Sequence, residues 1–156
     1  MWLPAQGVLN FGTGFTSPDS ASTFTIPSAA AKAVTVGAYD AGTGSAAPFS
    51  GRGYIVEIGG SLMVKPELAA PGVNVLVPSV SGMARVSGTS YATPFVTGSA
   101  ALLMEWGIVR GNDAFLYGEK LKAYLIKGAE PLAGAAVPDT QTGWGRLCLK
   151  NSLPQA

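Results

Sequence analysis

The stretch "SGTSYATPFVTGSAALL", residues 87–103, decides how this sequence is interpreted. Ser90 follows a glycine-containing turn and precedes a run of apolar and small residues, so the stretch predicts a serine at the start of a helix. The tripeptide Gly88-Thr89-Ser90 alone is typical of a helix N-cap. The position also suits a nucleophile, because unpaired backbone N–H groups and the positive end of the helix dipole surround a first turn. The chain contains no histidine, so the base that would activate Ser90 has to be found.

The composition favours one globular domain and argues against several classes of partner. The 156 residues carry a formal net charge of +1 without a basic or acidic block, which disfavours nucleic acid and anionic membranes as partners. The single Cys148 excludes an internal disulfide and a cysteine-based zinc site. No uninterrupted apolar run approaches the roughly 20 residues of a membrane span. The opening "MWLPAQGVLN" lacks the features of a signal peptide, and export stays undecided.

Short strands are predicted in the first half of the chain. "STFTIPS" (22–28) alternates polar and apolar residues and predicts a half-buried strand that Pro27 ends. "AVTVGAYD" has the β-branched residues of a buried parallel strand, which we place at residues 34–39. "AGTGSAAPFSGRG" (41–53) is predicted to be a loop, and a second apolar run covers Val73–Val77.

Two helices are predicted in the second half. Residues 95–106 are apolar or small on nearly every face, so this helix should be buried. "GNDAFLYGEKLKAYLIKGA" (111–129) predicts a second helix that Asn112 or Asp113 caps. The C-terminal "TGWGRLCLKNSLP" predicts a last strand or extended segment. Strands followed by helices in this order indicate an α/β fold.

Several segments together resemble the subtilases, the subtilisin-like serine peptidases. "GTSYATPFVTGSAALL" is similar to the active-site serine motif of that family, and "KPELAAPGVNV" resembles the segment that precedes it. "IPSAAAKAVTVGAYD" and "PFSGRG" are similar to the strand and loop further upstream, and "GWGRLCL" resembles the closing segment. The order and spacing agree over residues 24–105, which is more specific than any single motif. The resemblance implies a partial subtilisin-like α/β fold with a parallel sheet and packed helices.

A narrower resemblance is carried by "ALLMEWGIVRGNDAFLYGEKLKAYLIKGA" (101–129), which is similar to germination-protease-like subtilases of spore-forming bacteria. Those enzymes carry a jelly roll inserted in the catalytic domain. The whole chain, residues 1–156, is then expected to be the C-terminal portion of a peptidase domain. Residues 1–22 would be the end of the insertion or the strand leaving it, and residues 23–156 the remainder of the catalytic domain. The same resemblance implies an extracellular or spore-associated location.

Subtilases use a Ser-His-Asp triad, and only Ser90 matches a member of it here. The resemblance implies that Ser90 is the nucleophile of peptide-bond hydrolysis, with Gly88 and Thr89 as supporting residues of its motif. The aspartate and histidine motifs have no counterpart, and Asn10 does not match the context of the family's oxyanion asparagine. The isolated chain is therefore expected to be inactive, with its base on polypeptide that it does not contain. Calcium sites vary in this family and no carboxylate cluster supports one, so neither a metal nor another cofactor is predicted.

Alternative functions and alternative bases stay open at this stage. A non-catalytic, subtilase-like pseudoprotease could bind or regulate partners through the same fold. An unrelated α/β module with a serine-capped helix is a further alternative. Lys32 or Lys65 could form a Ser-Lys pair with Ser90, although no motif supports either. Glu67 is interpreted as a solvated variant of an acidic residue in the "KPELAAPG" segment.

The same patterns lead to expectations about packing and partners. Tyr91 and Met104 are interpreted as core residues rather than substrate contacts, because a buried helix needs such side chains. The strand at residues 34–39 would lack the upstream neighbour that it has in the family. Open edges and apolar patches promote association, so self-association through this face is expected unless residues 1–28 cap the edge. A peptide or protein substrate of the complete enzyme is the other expected partner.

Overall fold

The fold is a small three-stranded sheet with helices packed on it and two separate hairpins. The computed structural model describes residues 6–154, and a short 3-10 helix covers Gln6–Val8. The strands are β1 Val36–Asp40, β2 Ser45–Ala46, β3 Tyr54–Ile58, β4 Ser61–Lys65, β5 Leu68–Pro71, β6 Val75–Ser79 and β7 Gly82–Val86. The helices are α1 Thr89–Met104, which continues as a π-helical turn over Glu105–Val109, α2 Gly118–Gly128 and α3 Leu149–Ser152.

β1 is the central strand of the sheet. It pairs in parallel with β5, in a register that places Val36 opposite Leu68. On its other side it pairs with β2 in antiparallel fashion, and only at Tyr39 and Asp40. The first part of β1 therefore has no strand partner on that side within residues 6–154. The parallel strand predicted at residues 34–39 is confirmed, and it runs slightly later along the chain.

Small residues bring α1 close to this sheet. Ala38 and Ala70 on the strands and Ala92 on the helix are completely buried. Gly72 lies between the two layers, since a Cβ at this position would be 2.6 Å from the Ala38 Cβ and 3.4 Å from the Ala92 Cβ. Because the first distance is too short for any side chain, glycine is required where the chain leaves β5.

One stripe of α1 is buried, and its other side is open to solvent. The buried residues are spaced three and four apart and are Ala92, Val96, Ser99 and Leu103. Phe95 and Leu102, on the open side, are 43% and 53% exposed. The prediction that this helix is buried on nearly every face is thus wrong for the described part of the chain, because nothing there covers the second side.

The same helix has the length and composition of a membrane span. Thr89–Val109 is continuously helical over 21 residues and sufficiently apolar, with 28% of its most apolar stretch buried. By length and mean hydropathy, the expectation that no segment approaches a membrane span is therefore wrong. The packing of Val96 and Leu103 into the core with β1 and β5 accounts for part of the apolar character.

α2 packs against α1 and α3 and begins later than predicted. It starts at Gly118, so neither Asn112 nor Asp113 caps it. The carboxylate of Asp113 lies in the preceding turn, 2.6 Å from the Lys120 ammonium, and accepts a 3.3 Å hydrogen bond from the Tyr124 hydroxyl. The hydrogen bond from Lys120 lowers the pKa of Asp113. Side-chain contacts of Asp113 with Lys120 and Tyr124 therefore hold this turn against α2, and no side chain caps the helix N-terminus.

The C-terminal segment is extended where it crosses the sheet, as predicted, and then turns into α3. The Leu147 N–H donates to the Ala69 carbonyl of β5 (2.7 Å), and the Arg146 N–H donates to the Glu130 carbonyl (2.7 Å). These two bonds place the extended segment between β5 and the chain that leaves α2.

Two antiparallel hairpins, β3–β4 and β6–β7, extend from the body. In the segment 65–80 the buried strand is β5, whereas most of the apolar run at Val73–Val77 belongs to the β6–β7 hairpin. Leu76 and Met83 on this hairpin are 54% and 61% exposed. The predicted loop at residues 41–53 includes the two-residue strand β2. In a sequence with many apolar residues, composition alone does not distinguish the strands of an exposed hairpin from a buried strand.

Residues 22–28 form bends and turns instead of the predicted strand. Thr23 is held by Arg52, with its N–H donating to the Arg52 carbonyl (2.7 Å) and its hydroxyl accepting from the Arg52 N–H (2.8 Å). Ile26 is 80% exposed. Pro27 has no N–H, and no described strand lies beside the segment, so no ladder forms. The described residues before position 22 are outside any strand as well and do not cap the open side of β1.

A buried cluster of charges ties three parts of the chain together. The Glu67 carboxylate accepts hydrogen bonds from the ammonium groups of Lys65 (2.7 Å) and Lys122 (2.6 Å) and from the Thr35 N–H (2.7 Å). The Lys65 ammonium also donates to the Ala33 carbonyl (2.7 Å) and the Thr35 hydroxyl (3.2 Å). Glu67 is only 2% exposed, so its interpretation as a solvated residue is wrong. The partner on α2 is distant in sequence and could not be predicted from the local pattern.

Candidate functional site

Ser90 lies in the first turn of α1, at the edge of the sheet where β5 ends. The helix begins at Thr89, and Gly88 occupies the N-cap position. The Gly88 N–H donates to the Gly72 carbonyl (2.8 Å), which fixes the helix start just beyond the carboxyl end of β5. Gly88 has a φ of 151°, a conformation that favours glycine. The predicted first-turn position of Ser90 agrees with this geometry.

The Ser90 side chain is exposed and makes no capping hydrogen bond, so the N-cap interpretation is wrong. Within residues 6–154 neither the Ser90 hydroxyl nor the backbone N–H groups of Thr89 and Ser90 have a hydrogen-bond partner. The next two N–H groups, of Tyr91 and Ala92, both donate to the Gly88 carbonyl (3.1 and 3.3 Å). A free hydroxyl and two free donors are thus collected at the positive end of a helix.

Ser90 opens onto a concave surface with uncharged walls. A cavity of about 310 Å³ is lined by three residues of α1, including Ser90, and by residues 27–28 and 33–36. A neighbouring groove of about 400 Å³ follows the open side of β1, between residues 23–25 and 49–51. Among the residues that the structure describes, no ionisable acid or base lines either space. The surface can therefore accommodate a neutral chain segment beside the serine, but it offers no group to take the serine proton.

The alternative bases that the sequence left open are engaged elsewhere. Lys65 is completely buried, and its ammonium is held by Glu67, the Ala33 carbonyl and the Thr35 hydroxyl. Lys32 lines a different cavity from the two beside Ser90. Among the described residues, nothing therefore supports a Ser-Lys pair.

The aromatic and apolar side chains that follow Ser90 lie on the surface. Tyr91 is 37% exposed and Met104 is 36% exposed, so the expectation that both are core residues is wrong for the described chain. Phe95 lies on the same open side of α1. Local sequence could not have identified these exposed positions, because the helix is apolar or small on every side.

Metal ligands are not brought together around Ser90. Within residues 6–154 no three His, Cys, Asp or Glu side chains form a group that could hold a metal ion. Cys148 has a free thiol and is partly buried. The chemistry available at the site is thus that of a serine hydroxyl and backbone donors.

Comparison with known proteins assigns the chain to a family. The sequence profile of the subtilase family, peptidase family S8, matches residues 10–145, and the chain belongs to this family. The structure of the Clostridium perfringens CspB protease is 42% identical in sequence, with a TM-score of 0.82. The match covers 92% of this chain and 30% of that chain. The predicted α/β, subtilisin-like fold is confirmed by this similarity.

Two further relatives are similar over shorter parts. The self-cleaved protease domain of PatA is 30% identical, with a TM-score of 0.62, over 81% of this chain and 42% of that chain. The PII-type proteinase of Lactococcus lactis subsp. cremoris is 38% identical over 67 residues, which are 42% of this chain and 4% of that proteinase. The chain thus spans less than half the length of each of these relatives. The germination-protease-like subgroup and the place of the chain within a longer domain stay predictions.

Proposed function

We propose that Ser90 is the acyl-forming nucleophile of a subtilisin-like serine endopeptidase that cleaves peptide or protein substrates. One observation carries the proposal: in a chain of the subtilase family, an exposed serine hydroxyl lies at a helix start beside two backbone N–H groups that have no partner within residues 6–154. The similar structures of CspB and PatA are those of proteases. Gly88 and Thr89 support the nucleophile by forming the turn that presents it.

In the proposed reaction, a histidine supplied by polypeptide outside this chain removes the proton from the Ser90 hydroxyl. The serine oxygen then attacks the substrate carbonyl carbon, and the carbonyl electron pair moves onto its oxygen. The Ser90 N–H and the dipole of α1 stabilise the resulting oxyanion. The histidine returns the proton to the leaving amine as the C–N bond breaks, and water hydrolyses the acyl-enzyme. These steps require no metal or organic cofactor.

We also propose that residues 1–156 are the C-terminal portion of a longer peptidase domain of the germination-protease-like subgroup. Residues 1–22 would be the end of an insertion and residues 23–156 the catalytic remainder. The uneven coverage of the CspB match, which takes in most of this chain and under a third of that one, supports the proposal that this chain is part of a longer domain. An extracellular location is proposed from the same resemblance.

The isolated chain tests one consequence of this proposal. It is expected to hydrolyse chromogenic esters and fluorogenic peptides no faster than a buffer blank, because it contains no histidine. Loss of the triad in this enzyme class leaves about 10³–10⁴-fold acceleration over water, from the oxyanion hole and substrate binding. Most of that residual acceleration should be lost here too, since no matching oxyanion asparagine is present. Turnover by the isolated chain that Ser90→Ala abolishes would contradict the proposal.

A subtilase-like pseudoprotease that binds or regulates a partner is the second candidate. The observation that favours it is the uncharged concave surface beside Ser90, which could hold a peptide without cleaving it. The two functions differ in whether Ser90 becomes reactive when a histidine and an aspartate are supplied.

We infer in addition that the chain associates with itself through an open face, defined by the solvent side of α1 and the unpaired side of β1. Phe95 and Leu102 are large apolar side chains exposed on the helix, and the first part of β1 lacks a strand partner among the described residues. Only 12% of the residues are charged, so few charges oppose association. Exposed strand edges and apolar patches recruit other surfaces, and a two-fold symmetric dimer is the commonest result.

Light scattering at micromolar concentration measures this association directly. The wild-type chain is expected to form a dimer or a larger oligomer. The double variant Phe95→Ser, Leu102→Ser should shift the population toward monomer, whereas Leu76→Ser on the β6–β7 hairpin should not. A wild-type chain that is a monomer with a cooperative melting transition would refute the association.

A further inference from the structure

A cavity of about 440 Å³ lies between the β3–β4 hairpin and α2. It shares no lining residue with the two spaces beside Ser90. Its volume is in the range of cavities that hold small organic ligands, roughly 300–1,000 Å³. Neither the proposed nucleophile nor the proposed association through the open face of α1 involves this cavity.

The walls of this cavity are mainly apolar. Leu62 and Met63 come from β4, Ile126 from α2, and Trp144 from the turn before the extended C-terminal segment. Leu62 is 48% exposed, which places it toward solvent. A ligand that fits these walls must have an apolar body.

The floor of the cavity is formed by Glu67 and Lys122, which belong to the buried charged cluster. This cluster contains two ammonium groups, of Lys65 and Lys122, and one carboxylate, so it carries one unbalanced positive charge. The side chains of Lys65 and Glu67 are 0% and 2% exposed, and that of Lys122 is 13% exposed. An unbalanced charge is costly at such depth, and a bound anion would offset that cost.

Lys122 has a donor left for such an anion. An ammonium group has three N–H donors. Those of Lys65 are matched by Glu67, the Ala33 carbonyl and the Thr35 hydroxyl. The Lys122 ammonium has two acceptors among the described residues, Glu67 (2.6 Å) and the Ala31 carbonyl (2.8 Å). One N–H of Lys122 therefore has no acceptor within residues 6–154, and the side chain lines the cavity.

We propose that this cavity binds a small carboxylate with an aliphatic or aromatic body, and that the Lys122 ammonium holds the carboxylate group. Two further charged residues, Lys32 and Glu119, line the cavity. They cancel each other, so the charge at and behind the cavity remains positive by one. Glu119 lowers the affinity for an anion by repulsion. This binding site does not depend on the proposed role of Ser90.

Calorimetric titration of the full 156-residue chain with octanoate, 1-octanol and octylamine tests the proposal, because the three probes share a chain and differ in head group. Octanoate is expected to bind at one site, at least about tenfold more tightly than 1-octanol, given the strength of a hydrogen bond to a charged group. Octylamine should not bind measurably. Ser90→Ala should leave octanoate affinity unchanged, which separates this proposal from that of the nucleophile.

Variants then assign the binding to Lys122. Lys122→Met, which leaves a neutral Lys65–Glu67 pair, should weaken octanoate about tenfold or more. Lys122→Arg should retain binding, and Lys127→Met, at an exposed position in the last turn of α2, should change nothing. Glu119→Gln should strengthen binding by removing the repulsion. Near-UV circular dichroism checks that each variant is folded.

Three results would overturn the proposal: equal affinity for octanoate and 1-octanol, equal loss of affinity in the variants of Lys122 and Lys127, or no detectable octanoate site. If Lys122→Met does not fold, the Glu119→Gln variant decides. Unchanged octanoate affinity in that variant would then count against an anion held at this floor.

Discussion

The geometry at the start of α1 rests on two glycines that are far apart in sequence and bonded in the fold. Gly72 ends the path of β5, where no side chain fits against Ala38, and its carbonyl accepts the N–H of Gly88. Gly88 in turn adopts a positive φ at the N-cap position, two residues before Ser90. The position of the serine hydroxyl is therefore a consequence of backbone contacts that any side chain at these two positions would disturb.

Replacing Gly72 by alanine tests this reasoning. The new Cβ would lie 2.6 Å from the Ala38 Cβ, so we expect Gly72→Ala to lower the free energy of unfolding by about 1–3 kcal/mol through overpacking. Gly98→Ala is the matched control, because nothing lies within 4 Å of a Cβ there. In the middle of a helix this change should stabilise the chain by about 0.5–1 kcal/mol. Urea unfolding of both variants measures the difference, and equal effects would show that the close approach at Gly72 is unimportant.

At the scale of elements, α1 and α2 are held in different ways. α1 uses one apolar stripe against the sheet and leaves its other side open. α2 is joined to the sheet by the Lys122–Glu67 ion pair, besides its apolar contacts. Since Glu67 lies just before β5, the charged cluster sets the position of α2 relative to the central strands.

Replacing Glu67 by glutamine tests the importance of the charged cluster. The variant leaves two ammonium groups without a carboxylate partner, one of them in a completely buried side chain. We expect the free energy of unfolding to fall by about 3–5 kcal/mol, as when one partner of a buried ion pair is removed. Glu119→Gln removes an exposed carboxylate from α2, the helix that carries Lys122. It should change the free energy of unfolding by less than about 0.5 kcal/mol. Urea unfolding that gives similar losses for both variants would contradict the structural role of the cluster.

For the whole molecule, the features that could be predicted from sequence are those encoded in contiguous segments. The segments around the central strand and around Ser90 identify the family, and they correctly predict Ser90 in the first turn of a helix. The apolar run at residues 95–106 marks only the later part of that helix, which begins at Thr89. Features that depend on distant partners could not be predicted. Glu67 is buried because Lys122 reaches it from α2, and Phe95 is exposed because no described residue covers that side of α1. The strand expected at residues 22–28 does not form, because an alternating pattern requires a neighbouring strand that the described chain does not provide.

The chain contains no histidine, so the proposed base has to come from other polypeptide, and a chimera can supply it. In subtilases the aspartate and histidine precede the serine in the chain. The chimera joins this chain to the part of the C. perfringens CspB protease that precedes the matching segment. The 42% identity and the TM-score of 0.82 make this a close structural replacement. The same chimera with Ser90→Ala, the isolated chain and unmodified CspB serve as controls.

Labelling of this chimera by a fluorophosphonate, with mass spectrometry to locate the adduct, tests the central claim that Ser90 is a subtilase nucleophile whose catalytic partners lie outside this chain. The claim predicts an adduct on Ser90 in the chimera, and none at this position in the Ser90→Ala chimera or in the isolated chain. A folded chimera that stays unlabelled at Ser90, under conditions in which CspB is labelled, would contradict the claim and favour the pseudoprotease.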